Sequence, residues 1–193
     1  MLAIDATFSA IDFETTGVVE GFGNEPWQIG IVRLRSGKVV CDEQLDQLLR
    51  VDADRPFNPM APGQHHKLRG EIAKAETLPE IWPDLSREWF QVPLIAHNAS
   101  VERNVLQQAA PMHEVGQWID TLKLARLAYP SEPSHKLEDL SNRLGIAEQV
   151  QKLCPGKEAH DALYDAVACG LLLQHLLTLP GWETATVYAL VNA

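Results

Sequence analysis

The stretch FSAIDFETTG, residues 8–17, places two carboxylates within a run of apolar residues. Residues two apart on a β-strand share a face. A strand over Phe8–Phe13 therefore directs Asp12 and Glu14 to the same side of a sheet. The Thr-Thr-Gly sequence that follows predicts a turn, which puts both carboxylates at the end of the strand. On this spacing alone, two solvated acids at an exposed strand edge remain the alternative.

A third carboxylate, Glu102, lies on the apolar face of a helix predicted over Ala99–Ala110. At about 100° per residue, Val105 and Leu106 flank Glu102, and the polar side chains fall on the opposite arc. A glutamate in that position is expected to be buried and to need a partner. The alternative is a first-turn glutamate that reaches solvent and interacts favourably with the helix dipole.

A fourth carboxylate, Asp165, belongs to the last long predicted helix, from near His160 to about Thr178. Cys169 and Leu172 follow it at helical spacing, so Asp165 shares their apolar stripe. His160 lies about 140° from Asp165 on an ideal helix. We therefore expect the histidine at the helix start or in the preceding loop, within reach of a metal-bound water. A surface histidine is the alternative.

These acidic segments together predict a divalent-metal site. Buried carboxylates are costly unless a cation neutralises them. Oxygen-rich ligation favours Mg²⁺ or Mn²⁺ over zinc. The pattern therefore indicates an enzyme, with phosphodiester hydrolysis as the predicted chemistry.

The 193-residue chain has an ordinary globular composition, with 46% hydrophobic and 22% charged residues, which argues against disorder. No linker or repeat divides it, so residues 1–193 are expected to form a single domain. No apolar run reaches the roughly 18 residues that span a bilayer, and the N-terminus has no secretory pattern. Three cysteines without zinc-type spacing favour a reduced, cytoplasmic setting.

The formal net charge is −10, from 16 basic and 26 acidic residues. Proteins that grip long duplexes through phosphates are usually basic, because counterion release supplies the affinity. The charge therefore argues against a duplex-wrapping protein. It still permits binding of a single-strand end, provided that metal ions neutralise much of the charge.

Hydrophobic patterns predict strands early in the chain and then strands alternating with helices, which is typical of an α/β sandwich around a mixed sheet. Residues 52–64 are predicted to be a loop, and Thr77 with Glu80 fits a helix-capping box. The other predicted strands are Trp27–Arg35, a third from Lys38 after a Ser36-Gly37 hairpin, Val92–Ala96 and Trp118–Asp120. The other predicted helices are Thr121–Tyr129 and Lys136–Leu144.

Five motifs, in this order and spacing, give the chain a resemblance to a known family. They are DFETTG at 12–17, LIAHNA at 94–99, DTLKLAR at 120–126, SHKLEDL at 134–140 and HDALYDA at 160–166. The set resembles the DEDD family of 3′–5′ exonucleases, and most of all its histidine subclass, which includes the proofreading subunit of bacterial DNA polymerase III. The tyrosine subclass carries its tyrosine four residues before the last Asp. That position is Asp161 here, so Tyr164 does not match it.

The resemblance implies an RNase H-like fold with a five-stranded mixed sheet flanked by helices. It also implies two Mg²⁺ or Mn²⁺ ions, with His160 as the general base and with substrate-positioning groups around the first two motifs. The implied metal ligands are Asp12, Glu14, Glu102 and Asp165, and the implied substrate-binding residues are Thr15, Thr16, His97 and Asn98. Glu102 departs from the family pattern, which has Asp at that position, and this puts the geometry of the second metal in question.

The predicted activity is hydrolysis of terminal phosphodiesters of single-stranded DNA or RNA, which releases nucleoside monophosphates. The alternative is a degenerate, non-catalytic binding or interaction module, suggested by Glu102 and the acidic charge. No GxSxG, P-loop or GxGxxG motif supports other chemistry. The adjacent His65-His66 pair is predicted to be loop surface, and Trp27 is an outside candidate for base stacking.

Sequence leaves three points open. The choice of DNA or RNA depends on contacts near the sugar. A homodimer is neither favoured nor excluded. The short tail after Thr178 leaves no room for a polymerase-tethering extension, so a polymerase partner is not supported and a free-standing nuclease is expected.

Overall fold

A computed structural model describes residues 1–113 and 115–193. Within these residues, five strands form one mixed sheet in the order β3-β2-β1-β4-β5. The first three strands are antiparallel neighbours, whereas β4 and β5 run parallel to β1. The strands are β1 (Thr7–Thr15), β2 (Pro26–Arg35), β3 (Lys38–Leu48), β4 (Leu94–Ala96) and β5 (Trp118–Asp120). The predicted five-stranded mixed sheet is therefore confirmed.

Helices cover both faces of this sheet. They are α1 (His65–Ile72), α2 (Leu78–Glu88), α3 (Ser100–Ala109), α4 (Thr121–Ala128), α5 (Leu137–Arg143), α6 (Ile146–Leu153), α7 (Ala162–Leu176) and α8 (Val187–Val191), with a 3₁₀ turn over Ala3–Asp5. The capping box predicted before α2 is present, since Thr77 and Glu80 exchange side-chain and backbone hydrogen bonds. Within the described residues, no helix has both the length and the apolar character that a membrane span requires.

The alternation along β1 separates two hydrophobic cores. Phe8 and Ala10 pack into the core that contains α7, whereas Ile11 and Phe13 pack on the other side with α2 and α3. Asp12 continues the α7 side of the strand because side chains alternate. α7 crosses β1, β2 and β3 on that face and is buried along most of its length. The fold therefore brings the start of α7 over the end of β1.

Two predictions about aromatic side chains are wrong. His65 is not loop surface, because it begins α1, is buried and stacks on Phe57 with ring centroids 4.8 Å apart, whereas His66 is exposed, as predicted, but lies in α1 and not in a loop. Trp27 is not available for base stacking, because only 1% of it is exposed. Both residues belong to a small core beneath the loop that joins β3 to α1. An apolar pocket that forms between distant segments leaves no local pattern in the sequence.

Candidate active site

Three predicted site residues meet where β1 ends and α7 begins. Glu14, His160 and Asp165 each offer one ligand atom, and these atoms lie within 4.8 Å of one another, a set that could hold a metal ion. Glu14 is buried near the end of β1, and Asp165 is half-buried in the first turn of α7. His160 is exposed and precedes the helix, as the sequence predicts.

His160 is held in an unusual backbone conformation. Its φ is +66°, in the left-handed region, which is costly for a residue other than glycine. Its backbone N–H donates to Asp165 Oδ2 at 3.1 Å. The histidine loop and the helix carboxylate are therefore joined directly.

A polar network fixes the start of α7 next to His160. Asp161 caps the helix by accepting from two backbone N–H groups of its first turn. Lys157 Nζ donates to both Asp161 oxygens, at 2.9 and 2.8 Å, and lies 2.5 Å from Asp46 Oδ2. Gln28 Nε2 donates to Asp46 and Asp161 at 2.9 and 3.1 Å. Sequence reasoning missed this network, although Asp before an apolar helical run is itself a capping signal.

Asp12 lies outside the group of three but is electrostatically part of the same site. Burial raises the pKa of Asp12 well above its usual range, and the negative charges of Asp165, Glu102 and Glu14 raise it further. Burial, with the charges of Asp165 and Asp161, raises the pKa of Glu14 to about 8. The carboxylates therefore destabilise one another in their ionised forms.

Glu102 is buried, as its position on the helical wheel predicts, with 4% of its surface exposed. Among the described residues, Glu102 Oε2 has no hydrogen-bond partner. Burial raises the pKa of Glu102 to about 8; the hydrogen bond from its own backbone N–H opposes this shift, and the charge of Asp120 adds to it. A buried carboxylate oxygen without a partner is costly.

These residues fit a divalent cation. The donor set is carboxylate oxygen with one imidazole, burial and then neighbouring negative charges raise the pKa values of the carboxylates, and one buried oxygen is unbonded among the described residues. A bound cation would favour the ionised carboxylates and supply the missing partner. The acidic residues concerned are Asp12, Glu14, Glu102 and Asp165.

The turn after β1 is fixed by a buried arginine. Thr16 is buried, and its Oγ1 accepts from Glu25 N at 3.1 Å and from Arg55 Nη2 at 3.2 Å. Arg55 also pairs with Glu25 at 2.8 Å. The predicted loop over residues 52–64 is therefore docked on the turn that begins at Thr15.

The same loop forms one wall of the site. A Cβ atom added to Gly63, whose φ is +87°, would lie 3.0 Å from the His160 carbonyl oxygen and 3.4 Å from Glu14 Oε2. The loop backbone thus passes close beside both residues. The sequence predicts a loop here but gives no sign that it reaches the carboxylates.

His97 and Asn98, in the second motif at the end of β4, form hydrogen bonds with neighbouring segments of the protein. His97 Nδ1 lies 3.0 Å from Thr121 Oγ1, and Nε2 lies 2.8 Å from the His135 carbonyl oxygen. Because a carbonyl only accepts, Nε2 carries the proton in that bond. Asn98 has a φ of +78°, and its N–H donates to Asp120 Oδ1 at 3.1 Å. Both ring nitrogens of His97 are therefore engaged within the protein.

A cleft of about 690 Å³ opens beside the carboxylates, and we refer to it as the cationic cleft. Its lining includes His97, Arg126, His135, Lys136, His160 and Asp165. Sequence reasoning did not single out Arg126 or Lys136. The cleft connects the second motif with the histidine and carboxylate of the last motif.

Comparison of the sequence with known proteins gives a consistent result. The family model described as Exonuclease (RNase_T) matches residues 9–173. Exodeoxyribonuclease 10 of Escherichia coli K12 is 30% identical over 174 residues, which cover 89% of this chain and 69% of that protein. A DNA polymerase III subunit epsilon-like protein of Rhodobacter capsulatus is 29% identical over 89% of this chain but only 24% of its own length.

Solved structures agree with the sequence comparison. Exonuclease X, in complex with 5′ overhanging duplex DNA, is 27% identical and superposes with a TM-score of 0.73, covering 96% of this chain and 98% of that one. The nuclease domain of 3′hExo, a DEDDh family member bound to rAMP, has a TM-score of 0.71 at 17% identity, over 95% of this chain and 97% of that one. At that identity the second likeness concerns the fold.

Proposed function

Because this chain belongs to the exonuclease family and is a DEDD-superfamily 3′–5′ exonuclease, we propose that it removes nucleoside monophosphates from the 3′ ends of single-stranded DNA or RNA. The observation that carries the proposal is the meeting of Glu14, His160 and Asp165 at the end of β1. Binding of duplex DNA with an overhang by exonuclease X supports a nucleic-acid end as the ligand.

We assign the metal cofactor to two Mg²⁺ or Mn²⁺ ions, because every acidic ligand offers hard oxygen donors. When bound, such ions supply the positive charge that phosphodiester hydrolysis requires. Glu14 and Asp165 would hold one ion, Glu102 would help to hold the other, and Asp12 would contribute to both.

His160 is proposed as the general base. Its side chain is exposed at the mouth of the site and lies within 4.8 Å of Glu14 and Asp165 ligand atoms. A ring nitrogen of His160 would accept the proton of the attacking water, a task for which imidazole is the most common side chain. The bond from its backbone N–H to Asp165 sets where that ring can reach.

The 3′-terminal nucleotide is proposed to lie against the turn at Thr15 and Thr16 and the end of β4 at His97 and Asn98. Thr16 and His97 would act mainly by fixing the backbone around the nucleotide, since their side chains already have partners within the protein. Asn98 is exposed and can present its amide to the ligand.

The degenerate binding module is not favoured. The carboxylates and the histidine of the catalytic pattern are all present, and Glu102 keeps the acidic function in a buried position. A module that only binds has no need for an unbonded buried carboxylate oxygen, which costs stability.

The test is digestion of 5′-labelled single-stranded DNA and RNA oligonucleotides with Mg²⁺, Mn²⁺ or EDTA. We expect a metal-dependent ladder that shortens from the 3′ end, with mononucleotides as the released product. Asp12→Asn and His160→Ala should abolish it, whereas Asp5→Asn, which removes an exposed acid outside the site, should not. Metal binding without cleavage of either strand would establish the binding module instead.

A further inference from the structure

The cationic cleft has a charge pattern that the hydrolytic step does not use. Arg126 and Lys136 are both exposed and line it together with His135. Among the described residues neither cation forms a salt bridge, whereas Arg143 and Lys157 nearby in sequence are paired with acids. Glu138 and Asp165 are the carboxylates of the lining. Two unpaired cations facing one cavity are notable in a chain whose net charge is −10.

Both cations are presented by fixed structure. Arg126 lies in the last turn of α4. Lys136 follows His135, whose carbonyl oxygen accepts from His97 Nε2 at 2.8 Å and whose ring lies 2.9 Å from the Tyr129 carbonyl oxygen. The segment that carries Lys136 is thus tied to the end of β4 and to the end of α4. Such pre-organisation lowers the entropy cost of binding a ligand.

The chemistry of the cleft fits phosphate groups. Arginine and lysine are the side chains that bind phosphate oxygens in nucleic-acid complexes. The volume of about 690 Å³ falls within the roughly 300–1,000 Å³ range of small-ligand sites. His160 and Asp165 border the same cleft, so a strand whose end is being cleaved would pass directly from the carboxylates into it.

The direction of the strand follows from the reaction. The nucleotide that a 3′–5′ exonuclease removes carries a single phosphate, the scissile one, which belongs at the carboxylates. Every other backbone phosphate lies on the 5′ side. Resting on the proposed function, we propose that Arg126 and Lys136 bind the backbone phosphates immediately 5′ of the scissile linkage and so make the enzyme selective for oligonucleotide strands.

A first test separates upstream contacts from chemistry. The 4-nitrophenyl ester of thymidine 5′-monophosphate has one phosphodiester and no upstream phosphate. The Arg126→Ala and Lys136→Ala single and double variants would be assayed on this ester and on a single-stranded oligonucleotide. Lys152→Ala is the matched control, because Lys152 is an exposed lysine on α6 outside the cleft and forms no salt bridge with any described residue.

On the oligonucleotide we expect kcat/KM to fall about tenfold for each removed cation, as for loss of a hydrogen bond to a charged group. The slope of log binding against log salt should become shallower by about 0.7 for each. Turnover of the ester should stay at the wild-type level. Equal losses of kcat/KM on the ester and the oligonucleotide would overturn the proposal, because they would assign the two cations to the scissile nucleotide. The proposal would also be overturned if the Arg126→Ala and Lys136→Ala variants cleaved the oligonucleotide with the same kinetics as Lys152→Ala.

A second test locates the phosphates. A neutral methylphosphonate would replace, one at a time, the phosphates 5′ of the scissile linkage. Replacement of the first or second of these phosphates should slow cleavage by the wild type. It should cause no further loss in the double variant, because the phosphate charge that is removed no longer has Arg126 or Lys136 as a partner. Additive losses would overturn the proposal. A wild type that cleaves neither the oligonucleotide nor the ester would instead refute the proposed function, and this inference with it.

Discussion

Gly30 lies directly opposite Asp12 in the antiparallel ladder of β1 and β2, and its missing side chain lets α7 begin against the sheet. A Cβ atom at Gly30 would overlap the backbone of Ala162 and Leu163. Asp165 lies in the first turn of the same helix. The glycine therefore sets the approach of a helix carboxylate to a strand carboxylate.

Gly30→Ala should both destabilise the protein and impair catalysis. The added methyl group meets backbone, which cannot rotate away, so the start of α7 must shift. Overpacking of this kind costs roughly 1–3 kcal/mol. Urea denaturation would measure the loss of stability, and the rate of oligonucleotide cleavage at saturating Mg²⁺ would measure the displacement of Asp165.

Gly70→Ala is the matched control for that substitution. Gly70 is exposed within α1, and among the described residues no atom outside its own helix backbone and chain neighbours lies within 4 Å of a Cβ placed there. Alanine in a helix interior is about 1 kcal/mol more favourable than glycine, so stability should rise or stay the same and activity should not change. If Gly30→Ala kept the wild-type stability and cleavage rate, the close approach of the start of α7 to Gly30 would not be needed.

The raised pKa of Glu102 predicts how the metal-free protein responds to pH. Burial raises that pKa from 4.5 to about 8, so between these values the folded state binds a proton that the unfolded state has lost. The stabilising contribution of this group is complete below pH 4.5 and is lost as pH rises to about 8. The slope attributable to Glu102 reaches about 1.4 kcal/mol per pH unit at most.

Chemical unfolding in EDTA at a series of pH values would measure this effect. Glu102→Gln should lose stability less steeply with rising pH than the wild type does. Glu148→Gln, which alters an exposed glutamate of α6, should keep the wild-type slope. An identical slope in Glu102→Gln would mean that Glu102 is ionised throughout this range.

Glu102→Asp tests whether the longer side chain impairs the enzyme. Glu102 is buried with an unbonded oxygen, so we expect the glutamate to serve as a ligand in its own right. Shortening it should leave the cleavage rate within about tenfold of the wild type. That limit corresponds to a change in the activation free energy of about 1.4 kcal/mol. Steady-state rates over a Mg²⁺ and Mn²⁺ titration would show any shift in metal preference. A gain in rate much larger than tenfold in Glu102→Asp would mean that glutamate impairs the wild-type enzyme, and would favour the non-catalytic binding module.

Periodicity explains which parts of the site the sequence predicts. The alternation along residues 8–17 assigns Asp12 to the α7 side of the sheet, and the structure places Phe8 and Ala10 there. The 3.6-residue period buries Glu102. In both cases one element decides the direction of the side chain, so a local pattern is sufficient.

Contacts between distant segments explain what the sequence does not predict. The short helices α1, α6 and α8, of 8, 8 and 5 residues, have no predicted counterpart, and tertiary packing rather than propensity stabilises helices of that length. Gly63 passes beside Glu14 in a loop that Arg55 ties to the turn after β1. Arg126 on α4 and Lys136 line the same cleft although they belong to different segments, and the His97 to His135 hydrogen bond ties the Lys136 segment to the end of β4.

Lys157 should act as a positioning residue for His160. It joins Asp161 and Asp46, and so anchors the loop that holds His160 at a φ of +66°, a conformation that costs about 1–3 kcal/mol unless its surroundings enforce it. Lys157→Met should lower kcat about tenfold with little change in KM, because only the transition-state contact is disturbed. The pH–rate profile should change with it, whereas Lys157→Arg should recover most of the rate. If the role of Lys157 is purely structural, Lys157→Met should lower the melting temperature and leave the pH–rate profile unchanged. If Lys157→Met cleaves at the same rate as the Lys152→Met control, Lys157 has no part in the mechanism.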